Sequence, residues 1–402
     1  MIARRHVFHV AGYDPYDVAG QHRRFRRELA TFAATWNVTA TASEITQRDG
    51  AAQWTATARG PNWAVETVYE PLDWHDIVLA DLARPALPLL RAGAVTFVDF
   101  IVSGTFRRYV TASHRYAFFF LVPFVDVLLF AAAGALAGYL VAGALMLTGV
   151  ARAATAIAIA LAGIAALLRW PGRRWRIMQG FADWVFARDY MLGRRADMEA
   201  RLDAFAARLL DCIKAGGVDE IVIVGHSLGA TFVVDLMSRA LARDPDLGRR
   251  GPAIAVLTIG ATIPKLALHP AGGRLRACAS TVAAEPSLFW VEYQSRDDAI
   301  SFYKFHPVLL REIAPGGDAA QPLVRRIQMH DMMSDADFRR YRFSFMRLHY
   351  QFVMANQKRT IYDFFMIACG PLPLRQIAQS PAGPVDAIAA DGAVVAPARV
   401  DA

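Results

Sequence analysis

The segment of this chain best suited to covalent chemistry is Gly225-His226-Ser227-Leu228-Gly229. A serine hydroxyl is a poor nucleophile until it is exposed, desolvated and paired with a base. A tight strand-to-helix turn meets the first requirement, and small residues two positions either side, here Gly225 and Gly229, let neighbouring backbone pass closely. The flanks have the required character. Ile221-Val222-Ile223-Val224 reads as a buried parallel strand. Leu228–Ala242 reads as an apolar helix, whose first amide groups point towards developing negative charge. Ser227 is therefore the expected nucleophile. His226 is excluded as its base, because a side chain one residue earlier points away from it.

The elbow Gly-His-Ser-Leu-Gly resembles that of the α/β-hydrolase family of lipases, esterases and thioesterases, over roughly residues 1–70 and 190–370. The resemblance implies a mainly parallel sheet flanked by helices and a triad in the order serine, acid, histidine. For the acid it points to the loop after Leu288–Tyr293, where Asp298 is preferred to Asp297 because Ile300 stands two residues on. That carboxylate would orient the imidazole and stabilise its cation. For the histidine it leaves two candidates, since His306 precedes the last expected strand. His330 follows Val324–Met329 directly, whereas His349 opens a His-x-x-aromatic pattern like the start of the family's final helix. His349 is preferred. The oxyanion hole would use the backbone N–H of Leu228 and that of Tyr13, in the loop His9-Val10-Ala11-Gly12-Tyr13. Ala11 stands where the family often has histidine, and the family's first two strands have no counterpart ahead of this loop.

These residues need elements to hold them. His6–Val10, Val38–Ile45, Gln53–Ala58 and Trp63–Tyr69 read as strands, with turns at Asp49-Gly50 and Gly60-Pro61. Gln21–Trp36 reads as a helix with a basic face of Arg23, Arg24, Arg26 and Arg27. Asp73–Arg115 is helical, interrupted by Pro85 and Pro88, and suited to lie along a membrane surface. Later come a helix over Arg194–Ala215 ended by Gly216-Gly217, a strand at Ala255–Ile259, and helices at Phe343–Asn356 and Thr360–Ile367. Strands alternating with helices indicate an α/β fold.

Between these parts, Tyr116–Leu168 is almost wholly Ala, Leu, Val, Phe, Gly and Ile. About 20 residues cross a hydrocarbon core of ~30 Å, so the run fits two helices, Leu121–Leu145 and Val150–Trp170, turning near Thr148-Gly149. Arg107, Arg108 and Arg115 precede it, and Arg169, Arg173, Arg174 and Arg176 follow it. Arginine on both outer flanks predicts two spans with both termini cytoplasmic. Arg152 at the turn would snorkel to the far interface. Asp126, the only acidic residue in the run, is read as an interfacial carboxylate, with a buried functional role as the alternative.

The 402 residues carry a formal charge of +8 with only four lysines, so the basic character belongs to arginine. No basic face with interleaved aromatics marks a nucleic-acid partner. Three scattered cysteines, Cys212, Cys278 and Cys369, suit a reducing compartment and suggest neither a disulfide framework nor a metal site. No secretory signal opens the sequence. The expected organisation is residues 1–115 as the first part of the hydrolase domain with membrane-proximal helices, 116–170 as a transmembrane hairpin, 171–378 as the catalytic part, and 379–402 as a disordered tail. The expected function is cofactor-free hydrolysis of lipid or acyl esters at a bilayer. The alternative is a non-catalytic membrane scaffold or binding protein on the same fold. Oligomeric state is not encoded in any pattern found.

Overall fold

The computed structural model describes residues 1–170, 172, 176–310, 319 and 321–395. Arg173 and Arg174 of the basic flank, and residues 396–402 of the expected tail, lie outside the described residues.

Among the described residues, nine strands form one sheet: β1 (Arg4–Val10), β2 (Thr39–Ala42), β3 (Thr46–Arg48), β4 (Ala51–Gly60), β5 (Trp63–Pro71), β6 (Glu220–His226), β7 (Ala253–Ile259), β8 (Leu288–Ser295) and β9 (Leu323–Ile327). Their order is β2-β4-β5-β1-β6-β7-β8-β9, with β3 on β4. The sheet is mixed, which corrects the mainly parallel sheet expected. β5, β1, β6, β7, β8 and β9 run parallel, while β4 pairs antiparallel with β5, β2 and β3. The physical cause is turn length. Gly60 pairs with Trp63 across a two-residue connection, which can only reverse the chain, whereas parallel neighbours need a longer crossover.

Side-chain alternation sorts the core onto two faces. Phe8, Val10, Ile221 and Ile223 join one apolar cluster with the helices Ile177–Met191, Ala196–Ala215 and Leu228–Arg243. Val7, Val222 and Val224 join the other, with the helices Val18–Trp36 and Phe364–Cys369. β6 is buried along its whole length, as its unbroken apolar composition requires. At its foot the buried Arg5 donates to Glu220 and to the carbonyls of Gly370 and Leu372, fastening the C-terminal segment to the central strands. The described part of the segment expected to be a disordered tail, residues 379–395, packs on the domain. Its Gly392 carbonyl accepts from Trp63 Nε1 at 2.8 Å, and Ile388 is buried and bridges to Val394.

The apolar run forms two helices, His114–Ala144 and Gly149–Arg169, each long and apolar enough to cross a membrane. At ~1.5 Å per residue, the 31-residue first helix exceeds a bilayer core. Its surplus packs on the domain: Tyr116 and Phe120 are buried among Phe100, Tyr109 and Trp184, and Phe124 against Phe181, while Leu128, Leu129, Leu136 and Leu140 are exposed. Ahead of the hairpin, the helices His75–Leu82 and Ala86–Val102 meet at 105°, and Leu87, Val95, Val98, Ile101 and Val102 remain exposed.

Candidate active site

Ser227 sits between β6 and the helix Leu228–Arg243 with φ 58° and ψ −125°, a strained backbone for a residue with a side chain. The surrounding structure fixes it there. Its N–H donates to Ile259 O at 3.1 Å, and its carbonyl accepts from Ala230 and Thr262 at 3.1 and 3.3 Å. The two elbow glycines are steric necessities. A Cβ on Gly229 would lie 2.1 Å from Val10 O, and one on Gly225 would lie 2.5 Å from Ala230 Cα. The end of β1 therefore passes directly over the elbow, and Gly12 touches Ser227 closely enough that an added Cβ would be 2.8 Å from the serine Cβ.

Of the two carboxylates after β8, Asp298 faces the imidazole. His349 Nδ1–H donates to Asp298 Oδ2 at 2.8 Å, and both residues are buried. Asp298 Oδ1 accepts the Ile300 N–H at 2.9 Å, so the residue two positions on helps hold the carboxylate. Asp297 turns elsewhere and caps the Met329 N–H at 3.0 Å. His349 does not open the final helix, as its motif suggested; it lies near the end of the short helix Phe345–Tyr350, with Phe364–Cys369 and Leu374–Gln379 still to come. Its ring packs over Gly260, where a Cβ would be 3.0 Å from Cε1. Its Nε2 is buried with no hydrogen-bond partner.

The other histidines are excluded by position. His330 is half exposed and pairs with Asp331. His306 Nδ1 accepts the amides of Val308 and Leu309. His226 donates from Nε2 to the His349 carbonyl at 3.1 Å, with the two rings 4.6 Å apart. Burial, and then His349 itself, hold the His226 imidazole well below its ordinary pKa. It is a neutral prop under His349.

Ser227, His349, Leu228 and Tyr13 line one cavity of about 190 Å³. The Tyr13 carbonyl accepts from Gln179 Nε2 at 3.0 Å, which ties the β1 loop to the helix after the hairpin. Three features of this cavity escaped the sequence reading. Its outer wall is the first hairpin helix, through Tyr116, Phe119, Val122 and Pro123. Asp126, read as interfacial, also lies on that wall. Finally, Lys265 reaches it as a buried ammonium, 2.6 Å from Asp183 and 4.1 Å from the Trp184 ring centroid, with burial pushing its pKa down. Lys265 carried one usable signal: it is one of four lysines in an arginine-rich chain, just after a strand.

A hydroxyl on a strained turn, at a helix N-terminus, beside an imidazole oriented by a carboxylate is a set able to perform nucleophilic acyl transfer. No family model, curated protein or solved structure matches this chain.

Proposed function

We propose that this chain is a membrane-anchored serine hydrolase of the α/β-hydrolase kind, cleaving carboxylic esters of lipid or acyl substrates through an acyl-enzyme. One observation carries the reading: the His349–Asp298 hydrogen bond leaves an unpartnered Nε2 in the cavity that holds Ser227. In the proposed reaction Ser227 Oγ attacks the acyl carbonyl while His349 Nε2 takes its proton. The Leu228 and Tyr13 amides receive the oxyanion, and Asp298 steadies the imidazolium. His349 then returns the proton to the departing alcohol, and water repeats the sequence to free the acid. His349 Nε2 makes no hydrogen bond to Ser227 in the free protein; contacts of this kind tighten when substrate binds.

An apolar substrate is favoured because the hairpin itself walls the cavity, so an acyl chain can pass from bilayer to Ser227 without crossing water. Retention of all three reactive side chains favours catalysis over a scaffold that has lost its chemistry. The arginine flanks favour a cytoplasmic domain with both termini on that side.

A fluorophosphonate probe on the intact chain in detergent tests the proposal. Adduct formation at Ser227, absent from Ser227→Ala, is the expected result. Folded protein that stays unlabelled would overturn the hydrolase reading.

A further inference from the structure

Beside the Ser227 cavity lies a larger cleft, of about 940 Å³, whose wall carries Arg23, Arg24, Arg27, Arg176 and Arg347. Among the described residues, Asp126 is the only carboxylate on that wall, set against five guanidinium groups. The two spaces adjoin: Val122, Asp126, Arg176, Phe345 and Met346 line both.

The arginines are unevenly satisfied. Arg27 pairs with Glu28, and Arg347 donates to Gln351 Oε1 at 2.7 Å. Among the described residues, Arg23, Arg24 and Arg176 form no ion pair; Arg24 lies over the Tyr350 ring, 5.4 Å from its centroid. Among the described residues, Arg176 Nη1, which is buried, has no hydrogen-bond partner. A buried, unpartnered donor of a charged group costs free energy, and like charges converging on one concavity add to that cost. Such an arrangement persists where an anion completes it. Guanidinium forks match the paired oxygens of a phosphate, with charge-assisted bonds roughly twice as strong as neutral ones. Arg23 and Arg27 are exposed, whereas Arg24, Arg176 and Arg347 are half-buried. These line a cleft continuous with the reactive serine.

The geometry points to a phosphate-binding subsite for the substrate's headgroup. The preferred substrate class is then an acyl ester bearing an anionic phosphomonoester, of the phosphatidate or lysophosphatidate type, with its ester carbonyl at Ser227 and its phosphate among Arg23, Arg24 and Arg176. This deepens, and rests on, the hydrolase reading. A choline headgroup is disfavoured, because its quaternary ammonium would enter a field of like charge.

Binding to the intact Ser227→Ala chain in detergent separates this inference from catalysis, since no turnover is needed. The probes are an oleoyl lysophosphatidic acid, the lysophosphatidylcholine with the same chain, and inorganic phosphate. The lysophosphatidic acid should bind tighter than the choline lipid by about tenfold or more. In Arg23→Gln and Arg176→Gln, on separate elements and each checked for folding, that ratio should fall towards one. Equal affinity for the two lipids would overturn the subsite. Inorganic phosphate binding as tightly as the lysophosphatidic acid would assign the cleft to free phosphate and overturn the substrate class. Failed probe labelling with a retained lipid preference would sink the hydrolysis alone.

Discussion

Which of two adjacent carboxylates and two histidines meet at Ser227 is decided by single hydrogen bonds, and these lead to a graded prediction. Triad members act as a unit, so losing the base costs nearly as much as losing the nucleophile, on the order of 10⁴–10⁶ in rate. His349→Ala should therefore match Ser227→Ala in hydrolysis of a short p-nitrophenyl ester. Asp298→Asn should cost about 10⁴ by favouring the wrong tautomer. His330→Ala should stay within about tenfold, or ~1.4 kcal/mol of barrier, because the imidazole is half exposed and pairs only with its neighbour Asp331. Asp297→Asn should be similarly mild, since its work is to cap the Met329 amide. An active His349→Ala protein would remove that residue from the proposed base position.

The hairpin shows why elements need more than apolar composition. Its two helices approach backbone to backbone at Gly134 and Gly138, a small-xxx-small spacing suited to close helix contact in lipid. A Cβ on Gly138 would lie 2.2 Å from Ala156 O, whereas one on Gly143 would find only Arg152 Nη2, at 3.9 Å. The same substitution should thus act oppositely at two positions five residues apart. Gly138→Ala must separate the helices, at a cost of about 1–3 kcal/mol as for other overpacked contacts. Gly143→Ala should be neutral or slightly stabilising, because alanine is the better helix former. Thermal unfolding in detergent measures both. A Gly138→Ala midpoint equal to the parent's would mean that the helices do not pack as described. The hairpin also reaches the candidate site, because the first turns of its first helix form the cavity wall.

At the scale of the whole molecule, the number of helices able to cross a bilayer sets the topology to be tested. Two helices pass by length and composition, and the bent pair His75–Leu82 and Ala86–Val102 would make a third span if it crossed as one broken helix. The third span is disfavoured by packing: Leu89, Thr96 and Phe100 of the second helix are buried against the domain, so only one side of it can meet lipid. Two spans predict that the protein resists extraction by carbonate or high salt and that reporters fused at either end both read cytoplasmic. An external reading at one end would establish an odd number of crossings. Release by carbonate would deny any crossing.

Much of this architecture was open to the sequence because it depends on local physics. Strand β6, the elbow and the following helix declare themselves through β-branched residues, two glycines and an apolar helical stretch within about twenty positions. The hairpin and its turn near Thr148 follow from the thickness of a bilayer. Tertiary structure alone decided the rest. The antiparallel end of the sheet was hidden because a strand's composition does not state its partner's direction, although the two-residue turn before Trp63 was a clue. The packing of residues 379–395 depends on Trp63 and Asn62, more than 300 residues away in sequence, to which this segment hydrogen-bonds. Motif spacing already favoured Asp298 and His349, but only the fold brings the loop after β8 and the helix Phe345–Tyr350, 51 residues apart at these two positions, to 2.8 Å. The arginine cleft needed the fold as well. Its guanidinium groups come from three separate stretches of chain, and charges scattered in sequence become a binding field only when folding gathers them into one concavity.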